Sequence, residues 1–367
     1  MEIELLREEL LPSLQAVIGV VERRQTIPIL GNIRIEVEAD NAVGLVTTDL
    51  EVEMRAHLGD GGKQPGAATV PARKLLDICR ALPEGASVRL SQEEGRVRLS
   101  SGRSRFALAS LPVDEFPTVG DLDQGMRFSI ACDVLAELLK RSAFAMAQQD
   151  VRYYLTGLLL EISPERLRAV ATDGHRLALC DAEQAPAVEG EKSAILPRKA
   201  VMELERLLGQ ADKSVTVTLT TAHARFDFGP QILTTKLIDG QFPDYDRVIP
   251  QSSNKRLLAD REPLREALTR VAILANEKFR GIRLEASSES FTLAAHNPEN
   301  EEAEESVSAR YSGERLTIAF NATYLQDALA ALDGETVEFQ FTDSNSSALL
   351  GVPDSTRYRY VIMPMRL

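Results

Sequence analysis

A carboxylate and an imidazole stand two residues apart at Asp173 and His175, the pair in this chain that most invites an acid–base interpretation. Such a pair does nucleophilic chemistry only beside an activated Ser or Cys, and no nucleophile signature accompanies these two. The other histidines are His57, His223 and His296, and none shows HExxH or other paired ligand spacing. We therefore interpret Asp173 and His175 as structural or ligand-pocket residues, not catalytic ones, and we expect no metal site and no enzyme.

Other signals of a cofactor or of a membrane location are missing from the sequence. Neither a GxGxxG nor a GxxxxGKS/T phosphate loop occurs, so we expect no bound nucleotide or other cofactor. No apolar run is long enough to span a bilayer, and the acidic first residues are unlike a secretory signal. Cys79, Cys132 and Cys180 lie far apart without a CxxC, which is typical of reduced thiols buried in a cytoplasmic protein.

Net charge argues against a simple nucleic-acid binder. The chain carries 42 Lys and Arg against 55 Asp and Glu, for a formal charge of -13. Phosphate neutralisation normally leaves a basic signature. An acidic exterior with one basic face nevertheless remains compatible with weak, non-specific contact to DNA.

The elements that position these residues recur along the chain. Gly31, Gly157 and Gly281 each open a strand-like run, at spacings of 126 and 124 residues. The same order and nearly the same period recur at three further sets of landmarks: Leu75, Val201 and Leu325; Leu111, Leu237 and Val361; Asp49, Asp173 and Asn297. A chain of 367 residues exceeds what one core usually supports. We predict three domains, at 1–125, 126–253 and 254–367.

Within each copy the periodicity predicts helix, strands, helix, strands, an α+β class. Apolar residues at helical spacing run through Leu75, Cys79 and Leu82 in the first copy, and another stripe starts at Leu135 in the second. Strict alternation predicts strands over Ser214–Leu219 and over 335–341.

Cations recur on the second helix of two copies. Arg73 and Lys199 are 126 residues apart, as are Arg80 and Arg206, and each falls roughly opposite the apolar stripe of its helix. A solvated polar face is the simpler interpretation, and a shared cationic surface is the alternative that recurrence favours. Two further cations of the second copy are placed away from their helix's apolar stripe: Lys140 and Arg141.

Opposite charges concentrate in the first and third copies. Residues 299–305 hold five carboxylates in seven residues, a run that usually stays solvated. Four arginines cluster along neighbouring strands of the first copy: Arg96, Arg98, Arg103 and Arg105. Ile273 points about 180° from the core stripe of its own helix, with Leu274 beside it. Either this helix is buried on two sides, or Ile273 and Leu274 belong to a subunit interface ringed by charge.

The chain closely resembles the beta subunit of bacterial DNA polymerase III, the sliding-clamp family, over its whole length. The segments that carry the resemblance are Ala171-Thr-Asp-Gly-His-Arg-Leu-Ala178, Ala147-Gln-Gln-Asp-Val-Arg-Tyr-Tyr154, Phe242-Pro-Asp-Tyr245, Asn276-Glu-Lys-Phe-Arg-Gly281 and Tyr360-Val-Ile-Met-Pro-Met-Arg-Leu367.

The resemblance implies three clamp domains per chain and a head-to-tail homodimer that closes into a ring, with helices inside and antiparallel sheets outside. It implies a cytoplasmic, non-catalytic processivity subunit that encircles double-stranded DNA without sequence preference. The implied protein partners are the DNA polymerase III alpha subunit, the clamp loader, and other polymerases and repair proteins that carry short peptide motifs. The alternative is a repeat scaffold that binds proteins without encircling DNA.

The resemblance also implies site residues. DNA contacts are implied at Arg24, Arg73, Gln149, Tyr153 and Tyr154. A dimer interface is implied at Arg96, Arg103, Arg105, Phe106, Leu108, Ile273, Leu274, Glu301, Glu302, Glu304 and Glu305. A peptide-binding cleft is implied at Leu155, Thr172, Gly174, His175, Arg176, Leu177, Pro243, Arg247, Val248, Asn321, Tyr324, Ser347, Val361, Ile362, Met363, Pro364, Met365, Arg366 and Leu367.

Overall fold

A computed structural model describes residues 1–24, 26–122, 124–209 and 213–366 of the chain. The chain folds into two compact units. The first unit comprises Met1–Asp133 and Lys199–Leu237, and the second comprises Val134–Arg198 and Ile238–Leu367. The middle copy of the repeat thus contributes to both units.

Every copy of the repeat begins with a strand that the sequence analysis did not predict and then follows the predicted order of helix, strands, helix, strands. The first copy holds β1 (Glu2–Leu6), α1 (Arg7–Val17), β2 (Asn32–Val37), β3 (Ala42–Thr48), β4 (Val52–Asp60), β5 (Gly62–Gln64), β6 (Gly66–Pro71), α2 (Ala72–Ala81), β7 (Ser87–Glu93), β8 (Arg96–Ser101) and β9 (Ser104–Ala109). The second holds β10 (Met126–Ala131), α3 (Cys132–Ser142), β11 (Gly157–Ile162), β12 (Leu167–Thr172), β13 (Arg176–Asp181), β14 (Lys192–Pro197), α4 (Arg198–Leu208), β15 (Ser214–Leu219), β16 (His223–Asp227) and β17 (Gln231–Lys236). The third holds β18 (Lys255–Asp260), α5 (Arg261–Val271), β19 (Gly281–Ala286), β20 (Phe291–His296), β21 (Glu302–Val307), β22 (Ala309–Ser312), β23 (Leu316–Asn321), α6 (Ala322–Ala331), β24 (Thr336–Phe341), β25 (Ala348–Gly351) and β26 (Tyr358–Ile362). Short 3-10 helices lie at Ile18–Val20, Pro28–Gly31, Val113–Glu115, Ala143–Ala145, Tyr153–Thr156, Tyr245–Val248 and Ala272–Leu274.

The helices form where the sequence places apolar residues at helical spacing. Leu75 and Cys79 of α2 and Leu135 of α3 are all buried, so the predicted stripes are confirmed. Helix α6 begins at a polar cap, because the Asn321 side chain accepts hydrogen bonds from two backbone N–H groups of the first turn. The alternating strand predicted at Ser214–Leu219 is β15, and the one predicted from residue 335 begins one residue later, at Thr336.

All four sheets are antiparallel within the described chain. The first unit has an eight-stranded sheet in the order β10-β15-β16-β17-β4-β3-β2-β6 and a five-stranded sheet in the order β5-β1-β7-β8-β9. The second unit has a nine-stranded sheet in the order β14-β11-β12-β13-β26-β25-β24-β18-β22 and a four-stranded sheet in the order β21-β20-β19-β23.

Both of the large sheets run from one copy of the repeat into the next. In the first unit, β4 of the first copy pairs with β17 of the second, with Met54 opposite Leu233. In the second unit, β13 of the second copy pairs with β26 of the third, with Ala178 opposite Tyr360. Backbone hydrogen bonds thus join consecutive copies at what we call the two seams.

Cations that the sequence places on solvated helix faces instead span these seams. Lys199 donates to the Val20 carbonyl at 2.9 Å and forms an ion pair with Asp49, and its side chain is only 27% exposed. Arg206 donates to the Ala16 carbonyl and to Glu203, and it is 32% exposed. The solvent-face prediction is therefore wrong for both residues, because a neighbouring copy covers that side of α4.

The solvent-face prediction is also wrong for Arg141, in the second unit. Its guanidinium is buried, donates to the Ala331 carbonyl and pairs with Asp333 of the third copy. It also lies over the Tyr358 ring, 5.5 Å from the ring centroid. Its neighbour Lys140 is exposed, as the sequence predicts for both.

All three cysteines are buried and none of them forms a disulfide, in agreement with the prediction of buried reduced thiols. Burial raises the pKa of Cys79 to about 12, so this thiol stays protonated and unreactive at neutral pH. In the described part of the chain, no helix is both long and apolar enough to cross a membrane.

Replacing Arg141 by Met should lower the free energy of unfolding by about 1–3 kcal/mol, because hydrogen bonds to a charged group are lost while the packing volume is nearly kept. Urea denaturation followed by circular dichroism measures the change. Lys140→Met on the same turn is the matched control and should change stability by less than about 0.5 kcal/mol. Equal effects from the two variants would show that the Arg141 contacts do not stabilise the seam.

Candidate functional site

The candidate site is a pocket that forms in the second unit around the turn between β12 and β13. Asp173 shapes the turn by accepting hydrogen bonds from the backbone N–H groups of His175 (2.9 Å) and Arg176 (3.0 Å). Gly174 has a φ of 88°, a left-handed conformation that glycine adopts without strain. Thr172 closes the turn by donating its hydroxyl to the Arg176 carbonyl at 2.6 Å. The motif Thr172–Arg176 is thus a rigid turn that exposes the His175 side chain.

The guanidinium of Arg176 fixes this turn to its surroundings. It pairs with Asp173 at 3.1 Å and with Asp327 at 2.5 Å, and it donates to the Phe144 carbonyl at 2.7 Å. It also stacks over the Tyr324 ring at 4.6 Å. With a side chain only 12% exposed and these partners already in place, Arg176 holds the wall of the pocket and has little left to offer a ligand.

An apolar core underlies the pocket. Its buried members are Leu159, Val170, Leu177, Leu179, Ile195, Tyr245, Ile249 and Val361, with Tyr154, Ile238, Phe242 and Leu349 packed against them. Because these residues come from β11, β12, β13, β14, β26 and the 242–249 segment, the floor of the pocket depends on the second seam. The cavity volume is about 160 Å³.

Tyr245 anchors one side of the pocket through a chain of polar contacts. Its hydroxyl donates to Glu161 at 2.5 Å and accepts from Arg168 at 3.2 Å. Arg168 in turn makes a bidentate ion pair with Asp181, at 2.6 and 2.8 Å. Burial, together with the hydrogen bond to Glu161, raises the pKa of Tyr245 to about 12.

Ten of the predicted cleft residues line this pocket together. They are Leu155, Thr172, Gly174, His175, Arg176, Leu177, Pro243, Val248, Val361 and Met363. The lining also includes Arg152, Asp244 and Tyr245, which the cleft prediction missed. Arg152 and Tyr245 lie inside two of the segments that carry the family resemblance, and that was the available signal for them.

The remaining predicted cleft residues lie elsewhere in the second unit. Asn321 caps α6, and Tyr324 lies beneath the Arg176 guanidinium. Arg247 is exposed and pairs with Asp244 at 2.7 Å, while Ile362 is buried. Ser347, Pro364 and Met365 are partly exposed, and Arg366 is exposed. Met365 and Arg366 line a second pocket, and Leu367 lies outside the described residues.

The acid–base interpretation finds no support in the geometry of the turn. Both carboxylate oxygens of Asp173 accept hydrogen bonds from the turn itself, from two backbone N–H groups and the Arg176 side chain. Across the part of the chain that the structure describes, no group of three or more His, Cys, Asp or Glu could hold a metal ion.

The residues predicted to contact DNA are mainly exposed. Arg24, Gln149 and Tyr153 are exposed, and Tyr154 is half-buried, with its ring centroid 5.9 Å from that of Tyr153. Arg73 is exposed as well, and it donates to the Val21 carbonyl at 2.6 Å.

The residues predicted for a dimer interface lie on or beside two edge strands and on one short helix. In the described chain β9 is hydrogen-bonded to β8 alone, and β21 to β20 alone. Strand β9 exposes Arg105 and Phe106, although Leu108 is buried in its own unit; Arg96 and Arg103 nearby are exposed. Strand β21 exposes Glu302 and Glu304, Glu301 is exposed beside it, and Glu305 pairs with Arg270 at 2.6 Å.

Ile273 lies in the 3-10 helix that follows α5 and is 75% exposed, while Leu274 beside it is partly buried. The core stripe of the same helix is buried at Leu264, Leu268 and Val271. Because Ile273 remains exposed, no described residue of the chain covers the second face of this helix.

Comparison with known proteins identifies the fold. The chain matches the N-terminal, central and C-terminal domains of the DNA polymerase III beta subunit over residues 1–120, 129–244 and 246–366. The beta sliding clamp of Pseudomonas aeruginosa is 49% identical, and that of Escherichia coli K12 is 46% identical, over 98% of each chain.

Solved structures agree with these matches. The crystal structure of the DNA polymerase III subunit beta from Pseudomonas aeruginosa is 47% identical, with a TM-score of 0.96 over 100% of both chains. A sliding clamp from Bartonella birtlesii, bound to griselimycin, is 38% identical, with a TM-score of 0.96 over 100% of both chains. The fold is therefore a three-domain clamp fold of helices and antiparallel sheets. The chain belongs to the DNA polymerase III beta subunit family, which confirms the resemblance seen in the sequence.

Replacing Tyr245 by Phe should lower the free energy of unfolding by about 1–2 kcal/mol at neutral pH, because Glu161 and Arg168 each lose a hydrogen-bond partner. The deficit should shrink between pH 10 and about 12. In that window the unfolded tyrosine has ionised near its ordinary pKa of about 10. The folded one keeps its proton up to about 12, so the unmutated protein loses stability as pH rises.

Urea titrations at several pH values measure both effects. Tyr153→Phe, at an exposed ring, is the control and should be neutral to within about 0.5 kcal/mol. A Tyr245→Phe protein as stable as the unmutated one at pH 7 would show that the hydroxyl contacts contribute nothing.

Proposed function

We propose that the chain is a DNA sliding clamp, the non-catalytic processivity subunit of a cytoplasmic DNA polymerase III. It would work as a homodimeric ring around double-stranded DNA and tether the polymerase, clamp loader and repair proteins through one cleft on each subunit. Family membership supports this function. The observation that carries the ring is the pair of open sheet edges, β9 and β21, which bear opposite charges.

The two open edge strands, β9 and β21, occupy the same positions in the repeat as the strands that form the seams. Strands β9, β17 and β26 are each the last strand of their copy in chain order. Strands β4, β13 and β21 each follow the turn that recurs at the repeat period, at Asp49, Asp173 and Asn297 respectively. Strand β17 pairs with β4 and β26 with β13, which leaves β9 and β21 of the described chain as the unmatched members of the series. Antiparallel pairing of β9 with β21 of a second copy would complete it and, when repeated, would close a head-to-tail dimer.

Side chains at these edges favour that pairing. Exposed arginines at Arg96, Arg103 and Arg105 would meet the carboxylates of residues 301–305, since unlike charges on facing edges steer and align two surfaces. The uncovered Ile273 supplies an apolar centre, with Leu274 and Phe106 beside it. An apolar centre within a charged rim is the usual anatomy of a specific interface.

Contact with DNA in this proposal is weak and phosphate-directed. The exposed Arg24 and Arg73, with Gln149, Tyr153 and Tyr154, are the proposed contacts. Topological linkage keeps the ring on DNA, so the protein needs no base-specific contacts, which would impede sliding. The net charge of -13 further discourages tight non-specific binding. Lys199 and Arg206 are left out of this surface because they already hold the first seam.

The cleft is proposed to bind short peptides of the partners. Its apolar floor would accept leucine and phenylalanine side chains, and Met363, which is 40% exposed, is a flexible wall suited to varied sequences. Val248, 39% exposed, lies at the same pocket. One shared cleft would make the partners mutually exclusive on a given subunit.

Replacing both Ile273 and Leu274 by Ala should convert the dimer to folded monomers, because truncating two central apolar anchors removes at least about 2 kcal/mol of association energy. Sedimentation should show half the native mass with unchanged circular dichroism. The monomer should no longer be retained on nicked circular plasmid after loading by its clamp loader. The unmutated ring should stay on the circle and slide off once the plasmid is linearised.

Met202→Ala removes another exposed apolar side chain, on α4, and should leave the dimer and its retention on circular DNA unchanged. Retention of the unmutated protein on linear and circular DNA alike would contradict the ring and favour a scaffold without encirclement. A double variant that remains dimeric at nanomolar concentration would contradict this interface.

Replacing Met363 and Val248 by Ala should weaken binding of a peptide with Leu and Phe anchors by at least about 2 kcal/mol, or roughly thirtyfold, because the cleft loses two apolar contacts. Fluorescence anisotropy with a labelled C-terminal peptide of the polymerase alpha subunit measures the affinity. Met202→Ala is again the control. Unchanged affinity in a variant that remains dimeric would place the peptide site elsewhere.

A further inference from the structure

At the second seam, an arginine of the second copy of the repeat caps the end of a helix in the third. The Arg141 guanidinium donates to the carbonyl of Ala331, the last residue of α6, and pairs with the carboxylate of Asp333. On its own helix it lies 3.9 Å from Glu137, one turn earlier. The last carbonyls of a helix have no partner within it and form the negative end of the helix dipole. A guanidinium at this position therefore stabilises the junction.

The arginine of this arrangement recurs in the third copy of the repeat. Arg141 is the tenth residue of α3, and Arg270 is the tenth residue of α5. Arg270 lies 3.8 Å from Glu266, which precedes it by one turn as Glu137 precedes Arg141. The two arginines differ in exposure, since the Arg141 side chain is 9% exposed and the Arg270 side chain is 55% exposed. Arg270 thus presents to solvent a guanidinium that its counterpart buries against the next copy.

The helix end of this arrangement recurs in the first copy of the repeat. Ala81 is the last residue of α2, at the position that the capped alanine holds in α6. A carboxylate follows in the turn after each helix, at Glu84 and at Asp333. Each carboxylate precedes a glycine in the left-handed conformation, with a φ of 72° after Glu84 and 91° after Asp333. The two helices therefore end in the same kind of turn, with a carboxylate at the same place.

Each of these helix ends also binds the first residue of its own copy's first helix. Arg261 donates to the Leu329 carbonyl of α6 at 3.2 Å, and Arg7 donates to the Cys79 carbonyl of α2 at 3.0 Å. Both acceptors precede the last residue of their helix by two positions. The end of α2 thus repeats the layout of the end of α6, and its last residue and the carboxylate after it are exposed.

We propose that Arg270 caps the end of α2 of a second subunit, donating to the Ala81 carbonyl and pairing with Glu84. The inference rests on the proposed ring. At the second seam, β13 pairs with β26 where α3 meets the end of α6. In the ring, β21 and β9 take the places of those strands, so α5 and α2 take the places of those helices. The ring would then close through the same contact that holds the second seam.

Charges on both subunits favour this contact. Arg270 pairs with Glu305 of its own chain at 2.6 Å, and a guanidinium has enough N–H donors to keep that pair while it binds a helix end. Arg80, which would lie beside it in the second subunit, is 3.9 Å from Asp77. With Glu84 added, the carboxylates outnumber the two arginines. The contact is therefore attractive, and it should weaken as salt concentration rises.

Charge reversal on either side tests the contact, because the proposed ring contains it twice. Arg270→Glu places two carboxylates together, and Glu84→Arg places two guanidiniums together. Each variant alone should dimerise at least about thirtyfold more weakly than the unmutated protein, since like charges facing across an interface cost several kcal/mol. An equimolar mixture of the two variants should instead form a heterodimer, in which one interface has the natural pair and the other has the reversed pair. Native mass spectrometry with a peptide tag on one variant distinguishes the three species.

The matched control is Arg265→Glu, on the same helix. Arg265 is 44% exposed and pairs with Glu262 at 2.8 Å. This variant should dimerise like the unmutated protein and should show no preference for Glu84→Arg as a partner. Circular dichroism checks that Arg270→Glu remains folded without its pair to Glu305. The mixture gives a second check, because a local folding defect in one variant would not be repaired by adding the other.

The outcomes separate this proposal from the ring on which it rests. If Ile273→Ala with Leu274→Ala leaves the protein dimeric, the ring interface is contradicted and this contact fails with it. If that variant dissociates while both charge variants stay as dimeric as the unmutated protein, the interface stands and the Arg270 contact is overturned. If the charge variants dissociate alone and form no heterodimer when mixed, Arg270 and Glu84 do not face each other, which also overturns the proposal.

Discussion

Backbone pairing between consecutive copies of the repeat is the constraint on which the rest of the structure depends. At each seam the last strand of one copy pairs with a strand of the preceding copy. Strand β17 pairs with β4, and β26 pairs with β13. The resulting sheets of eight and nine strands bury apolar residues that a single copy would leave exposed. Cationic side chains also stabilise each seam through ion pairs and hydrogen bonds. They are Lys199 and Arg206 at the first seam and Arg141 at the second.

The candidate site forms where the second seam brings two copies of the repeat together. Its floor combines Val170 and Leu177 of the second copy with Val361 of the third, so neither copy could form it alone. Arg176 reinforces the junction by pairing with Asp173 in its own copy and with Asp327 in the next. Met363 and Val248 are the exposed large apolar side chains of its lining, and they are where its apolar wall can adapt to different ligands.

The same internal repetition underlies the proposed ring and the proposed peptide cleft. A chain that repeats one seam twice ends with two unmatched edges, and opposite charges on β9 and β21 give those edges a preferred partner in a second copy. Internal repetition thus accounts for the sheets, the proposed interface and the cleft at the second seam.

The sequence by itself determined the three-copy α+β organisation, the buried stripes of the helices and the family, because periodicity and motif spacing are properties of the chain alone. It also identified most of the pocket lining, since the resemblance implied ten of its thirteen residues. Only the tertiary structure showed that Lys199, Arg206 and Arg141 contact a neighbouring copy at the seams and do not lie on solvated helix faces. A helical projection shows which side of a helix faces away from its own core, but it does not show that another copy packs there. Likewise, only the tertiary structure showed that the predicted cleft residues divide between two pockets, with Met363 lining one and Met365 lining the other.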